Sequence, residues 1–386
     1  MGWWSEFDRA EVARDFGRIA ASGLDCVRVF LLWEDFQPSP DAVDCEMLER
    51  LVVVADLAGE RGLALMPTLF TGHMSGVNWI PRWALGGATR DERFRVVARD
   101  VVVEPGLRNW YADPTIEAAQ TLLATEAAAA LAGHEALWAW DLGNESSNCV
   151  VPPTTAAGRR WLARLSRAVR AGDEAALVTV GLHMEDLEQD RKLGPHEASE
   201  VCDFLSMHGY PIYAAWAGGP TDPDLLPFLA RVTRWLGAGR DVMFTELGLP
   251  THRGGGPQAS PLLVDEDTAA AYTTTALEAL RRAGCLGAML WCYTDYDAAL
   301  WTRPPFDLAP HERTFGLWRA DGSAKPAVAA VAAFAGAERC TVDRADTWID
   351  VDPSDVLLDP SSQLPRLYER YVSSRAAQPR RRRAVR

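Results

Sequence analysis

A chain of 386 residues is long for an ordinary domain but within the range of one barrel of alternating strands and helices. Its 48% hydrophobic and 24% charged residues place it with folded globular chains and exclude intrinsic disorder as its general state. The 53 acidic residues outnumber the 39 basic ones for a net charge of −14, which disfavours nucleic acid and anionic membrane as partners and favours a neutral substrate.

Residues 1–7 read as a loop, and Val12, Phe16 and Ile19 then recur at helical spacing from near Asp8. An apolar run at 26–32 predicts a strand, and Leu48, Leu51, Val52 and Ala55 predict the helix after it. Further strands are predicted at 63–70, 137–142, 177–181, 204–208, 242–246 and 287–291. Helices are predicted at 115–131, 157–171, 224–236, 266–283 and 326–334. Continuous apolar strands alternating with amphipathic helices specify parallel neighbours joined by right-handed crossovers. The expected fold is therefore an α/β (β/α)8 TIM barrel. Nothing before Asp8 reads as a strand, so the first strand is expected to be missing, through a late start codon or a truncation, leaving a seven-stranded or distorted barrel with an exposed edge.

Long connections follow several strands, at 71–117, 146–156, 209–223, 248–265 and 292–324, and in a barrel they open on the one face where active sites sit. Residues 1–335 are expected to form the barrel and 336–375 an appendage docked through Leu364, Leu367, Tyr368 and Tyr371. Residues 376–386, with Arg380, Arg381, Arg382, Arg383 and Arg386, read as a disordered, solvated tail. Gly254, Gly255 and Gly256 lack a P-loop lysine and read as a mobile loop. Seven cysteines without zinc spacing argue against a disulfide framework or a structural metal. With no basic segment leading into an apolar stretch and no run long enough for a membrane helix, the sequence predicts a cytoplasmic protein without membrane association; a monomer is expected, though no residue pattern specifies the oligomeric state.

The chemistry concentrates at two strand ends. WAWDLGNE at 138–145 is an apolar strand closing on Asn144 and Glu145, and VMFTELG at 242–248 closes on Glu246. Two carboxyls facing each other across a pocket split a glycosidic bond when one protonates the leaving oxygen and the other attacks the anomeric carbon. The acid then needs a pKa raised by burial or by its charged neighbour, and the nucleophile must stay ionised. Arg28, in the apolar run VRVF, points to the same barrel end and supplies a cation, since an unpaired arginine there would be costly. Either glutamate alone is equally well read as a structural carboxylate; the shared register of the two selects the catalytic reading.

The stretches VRVFLLWEDF at 27–36, LGNE at 142–145, HGY at 208–210, TELG at 245–248 and LWCY at 290–293 resemble successive strand-end motifs of glycoside hydrolase family 5, the cellulase and mannanase family of retaining barrels, over residues 8–335. The resemblance implies Glu145 as acid/base, Glu246 as nucleophile, Asn144 on the substrate 2-hydroxyl, His208 and Tyr210 beside the nucleophile, Arg28 holding it, and Trp291 under the sugar. Ser146 stands where the family usually has proline after the Asn-Glu pair. No metal or other cofactor is implied. The loop at 72–83 and Trp33-Glu34-Asp35 look most like bacterial mannanase-like proteins, so the expected substrate is a β-mannan, a manno-oligosaccharide or a related β-glucoside.

Among the tryptophans near strand ends, Trp79 and Trp110 are chosen as sugar-stacking platforms, since indole faces pack on sugar rings. His73 follows a strand end and is a candidate substrate contact; with His183 and His208 it shows no metal-binding spacing. A catalytically impaired, carbohydrate-binding barrel is the alternative to an enzyme, and a metal-dependent hydrolase a more distant one.

Overall fold

The computed structural model describes residues 2–87, 93–104, 106–253, 260–338, 340 and 346–377. The Gly254–Gly256 loop and the arginine-rich end of the tail lie outside the described residues. Seven strands run parallel in chain order: β1 (Cys26–Phe30), β2 (Ala64–Thr68), β3 (Trp140–Asn144), β4 (Val178–Gly181), β5 (Leu205–Gly209), β6 (Val242–Leu247) and β7 (Ala288–Leu290). β1 lies against β2 with Cys26 opposite Ala64 and Phe30 opposite Thr68, and Thr68 continues the ladder to Asp141 on β3. β5, β6 and β7 pair among themselves. The two runs are stitched together where Asp203 N donates to Val178 O (2.9 Å) and His208 N to Leu182 O (2.8 Å). This is the predicted (β/α) barrel with seven staves. Among the described residues no strand pairs between β7 and β1, and residues 2–7 form a turn whose Trp4 Nε1 donates to Phe30 O at 2.7 Å.

β2 to β6 are buried on both faces, which is why they read as largely apolar runs. The helices begin where a short polar side chain takes up free backbone donors. Asp8 does so for α1 (Arg9–Ala21), Asp44 for α2 (Cys45–Glu60), and Asp113, followed by Pro114, for α3 (Pro114–Ala130). Thr154 caps α4 (Thr155–Gly172), α5 spans Leu225–Leu236, and Asp265 caps α6 (Glu266–Ala283), which stops at Gly284 in the left-handed region. α7 (Pro326–Phe334) closes the barrel wall behind β7. Against α5, α8 (Pro360–Ala377) buries Leu364, Leu367, Tyr368 and Tyr371, with the Tyr368 ring 5.1 Å from Phe228. None of the helices searched is long and apolar enough to cross a membrane.

The connection at 71–117 is not plain loop. Gly72–Met74 pairs antiparallel with Val77–Trp79, Arg95–Ala98 with Val101–Val103, and Val77–Trp79 runs parallel to Arg95–Ala98, giving a small sheet over the barrel mouth. Its second hairpin turns on Arg99 and Asp100, both at positive φ (49° and 59°), without the Asn-Gly or Asp-Gly signal that normally marks such a turn.

Candidate active site

β3 delivers the first carboxylate. After Asn144 the backbone turns into the left-handed region at Glu145 (φ 44°), Glu145 N donates to Gly181 O at 2.9 Å, and a short 3-10 turn, Ser146–Asn148, follows. That turn brings Asn148 Nδ2 to Glu145 Oε2 (3.1 Å), while His208 from the end of β5 reaches Oε1 through Nδ1 (2.8 Å). β6 delivers the second. Glu246 Oε2 accepts the Tyr210 hydroxyl (2.7 Å) and Oε1 accepts Arg28 Nη1 (2.7 Å). Oxygens of Glu145 and Glu246, with a ring nitrogen of His208, lie within 4.8 Å of one another. The two carboxylates thus meet at the C-terminal ends of β3 and β6.

Arg28 ties the strands together from beneath. With its side chain only 4% exposed, it binds Glu246, Asp141 on β3 and, through Nη2 at 2.6 Å, Asn144 Oδ1. Asp141, fully buried, also accepts from Thr68 Oγ1 (2.9 Å) and Gly181 N (2.9 Å). Asn144 spends its other end on His73 O. Sequence reasoning missed Asp141, yet its signal was present: an aspartate inside WAWDLGNE demands a buried partner by the same argument that singled out Arg28. Gly181 was also missed; a Cβ there would stand 2.9 Å from Gly143 O and 3.2 Å from Arg28 Nη2, so glycine lets the guanidinium approach β4 this closely.

The electrostatics of Glu145 run opposite to the expected direction. Burial pushes its carboxyl up, but His183, the hydrogen bond and charge of His208, and His73 outweigh it and hold it well below the usual carboxylate range. Tyr210 is held well above 10 by burial and by Glu246, so its phenol stays protonated and donates. His73 is lowered by burial; its ring packs on Phe94 at 4.2 Å and Nδ1 meets Asn78 Oδ1 at 2.8 Å, so the ring serves the wall of the site. Trp291 follows β7 with its ring edge-on to Phe30 at 5.7 Å.

Trp79 and Trp110 are not sugar platforms: they are 1% and 3% exposed, one packed with Val77 and Val97 and the other against Trp33. Packing of the mouth sheet claims the Trp79 ring, and the main core beside Trp33 and Tyr111 claims that of Trp110. The more open aromatics are Tyr213 (46%) and Trp301 (37%), the former bonded to Glu312 Oε1 at 3.1 Å.

Two arrangements invite other chemistry. Ser147, His183 and Asp186 form a buried cluster, but Ser147 Oγ donates straight to Asp186 Oδ1 (2.6 Å) while contacting His183 Nε2 (2.9 Å), so the aspartate quenches the hydroxyl and does not orient the imidazole as a nucleophilic relay requires. Glu145, His208 and Glu246 are the one set, among the described residues, placed to hold a metal ion. The Arg28 guanidinium on Glu246 already supplies positive charge there, and a second cation beside it would be repelled.

No family model and no curated protein sequence matches this chain. Solved structures do. The GH5_18 enzyme of Streptomyces cattleya, crystallised with GlcNAc, shares 25% identity at a TM-score of 0.80, covering 97% of this chain and 88% of that one. A variant of the same enzyme in complex with Manb1-4GlcNAc matches at 24% identity and a TM-score of 0.80, over 98% and 89%. The exo-beta-1,4-mannosidase Op5Man5 of Opitutaceae bacterium strain TAV5 shares 29% identity at a TM-score of 0.69, over 88% of this chain and 57% of that one. Fold and likeness together define a β-glycoside hydrolase with a carbohydrate substrate. In these likenesses the chain is similar to glycoside hydrolase family 5, on its mannanase-like side.

Proposed function

We propose that the protein cleaves β-mannosidic bonds with retention, through a glycosyl-enzyme intermediate on Glu246. The carrying observation is the approach of two carboxylates, from the ends of β3 and β6, to within 4.8 Å between oxygens, in keeping with the about 5–5.5 Å between carboxyl groups of retaining enzymes. Glu246 attacks the anomeric carbon as Glu145 gives its proton to the departing oxygen, forming the sugar ester and breaking the glycosidic bond. Glu145 then takes a proton from water, the water oxygen attacks the same carbon, and Glu246 leaves as carboxylate. Arg28 and Tyr210 keep one lone pair of Glu246 aimed at the sugar, and the surplus of buried negative charge around Arg28 favours the positively charged transition state. Glu145 starts ionised, so a glycosidic oxygen entering beside it must displace the His208 or Asn148 donor and raise its pKa before the proton can be given.

The ligands of the neighbours, GlcNAc and Manb1-4GlcNAc, together with the mannosidase, favour short β-mannosides as substrate over long glucans. The test is release of the aryl group from an aryl β-mannoside, and trapping with its 2-deoxy-2-fluoro analogue: one glycosyl unit should add to Glu246, and Glu246→Ala should lose both. Undiminished turnover by Glu246→Ala would end the proposal. The unpaired interval between β7 and β1 favours a second reading, a carbohydrate-binding barrel with impaired catalysis, for which calorimetry would register Manb1-4GlcNAc binding without hydrolysis.

A further inference from the structure

In the connection that leaves β7, Asp295 pairs with Lys325 at 2.6 Å and Asp307 with Arg95 at 2.7 Å. Glu312, more buried than either with its side chain 8% exposed, has no arginine or lysine partner among the described residues. Its Oε1 takes the Tyr213 hydroxyl (3.1 Å) and lies 3.3 Å from His311 Nε2, itself 3.0 Å from that hydroxyl. Oε2 meets no donor among the described residues, yet it is not sealed in. A carboxylate so far withdrawn from water is costly without a cation, and an oxygen left without a donor asks for a ligand that brings one.

The turn that carries Glu312, Pro310–Thr314, is laced to the start of the same connection: Tyr296 N donates to Arg313 O at 3.0 Å, and Cys292 N, next to Trp291, donates to Phe315 O at 3.2 Å. Burial lifts the Cys292 thiol and the Tyr296 phenol above their usual ranges, with Glu312 and Glu246 among the charges that add to it. Tyr210, whose hydroxyl rests on Glu246 Oε2, has its ring 5.9 Å from that of Tyr213 and 5.8 Å from that of Phe315, so the anchor of Glu312 packs on the partner of Glu246. Two rows thus begin at Glu246: Oε1 leads through Arg28 to Asn144, and Oε2 through Tyr210 and Tyr213 to Glu312. A sugar seated on Glu246 with its 2-hydroxyl at Asn144, as the family resemblance implies, has its 4- and 6-hydroxyls left for the second row.

We propose that Glu312 is a specificity-determining residue whose Oε2 accepts a hydrogen bond from the 4- or 6-hydroxyl of the sugar that Glu246 attacks. Tyr213 and His311 hold the other oxygen and so fix the direction of the free one. A sugar lacking that hydroxyl leaves the carboxylate buried without its donor, which is a strong ground for rejecting it. This inference rests on the glycosidase reading above and adds to it the means by which the sugar is told from its isomers.

The test compares kcat/KM of the parent and of Glu312→Gln, each on an aryl β-mannoside and on its 4-deoxy and 6-deoxy analogues. With the parent, one of the two deoxy analogues should lose at least about tenfold, as expected for a hydrogen bond to a charged acceptor. Glu312→Gln should lose a like factor on the intact mannoside, mostly through KM, yet little more on that deoxy analogue, with Tm unchanged. A merely structural role would lower turnover of all three substrates by one factor. That result, or parental turnover of the intact mannoside by Glu312→Gln, overturns the proposal. A parent that prefers an aryl β-glucoside corrects only the sugar in the proposed function, since the same comparison on deoxy glucosides then decides the role of Glu312. A parent without turnover sinks the hydrolytic reading alone, since calorimetric affinity for the intact and deoxy glycosides makes the same comparison.

Discussion

Replacing Arg28 by alanine should damage stability and rate together. The guanidinium is the only cation in hydrogen-bond contact with both Asp141 and Glu246 among the described residues, and the three side chains are at most 9% exposed. Removing it leaves two buried carboxylates uncompensated, a class of change that costs about 3–5 kcal/mol. At about 2–4 °C per kcal/mol for domains somewhat smaller than this one, Tm should fall on the order of 10 °C. The rate should fall as well, because Glu246 loses its Oε1 donor and Asn144 its Oδ1 donor, and a misplacement of about 1 Å costs on the order of a hundredfold. Differential scanning calorimetry and kcat on an aryl β-mannoside measure the two effects. Pairing Arg28→Met with Asp141→Leu separates them: the double variant removes one orphaned charge and should recover much of the Tm without recovering the rate. A single variant with Tm within about 2 °C and kcat within about threefold of the parent would refute the reasoning.

His183→Gln removes a charge that depresses Glu145 without touching its carboxyl hydrogen bonds, so the Glu145 pKa should rise and the alkaline limb of kcat/KM against pH should move to higher pH. Gly181→Ala places a methyl 2.9 Å from Gly143 O and 3.2 Å from Arg28 Nη2, an overpacking of about 1–3 kcal/mol that should lower Tm and kcat while leaving the fold intact by circular dichroism. Glu34, whose carboxylate accepts from Arg99 N, is pushed up to about 7 by burial, with Asp35 and Asp100 adding to the effect. A carboxyl raised in the folded state binds more protons there than when unfolded, so stability should decline as pH rises from about 4.5 to about 7 and level off above. Glu34→Gln should flatten that slope in Tm measured across the same range.

The barrel was legible because strands buried on both faces are largely apolar, and β2, β4, β5 and β6 begin as apolar runs whose polar residues gather towards the C-terminal ends. β3 shows the limit: the apolar run at 137–142 suggested a strand ending before Gly143, whereas Trp140–Asn144 is the paired segment, since Asp141 and Asn144 are polar yet fully committed to Arg28 and His73. The facing of Glu145 and Glu246 was readable from strand ends alone. The direction of the Glu145 shift was not, because it is set by His73, His183 and His208, which stand on three separate elements and meet only in the fold. Trp79 was misjudged for a related reason: the mouth sheet that buries it is built of strands of three or four residues, too short to show a period, while Trp110 is buried against Trp33, a contact between distant parts of the chain.

Among the ties that fasten the mouth sheet is a bidentate pair, Arg95 Nη1 and Nη2 on the two oxygens of Asp307 at 2.8 and 2.7 Å, with Arg95 also reaching Pro305 O. Being about a quarter to a third exposed, this clasp is within reach of dissolved ions. Ionic strength then becomes a dial on how wide the entrance stands. Concentrated salt would let the two leaves part, and bulky glycans would gain turnover relative to a disaccharide in brine.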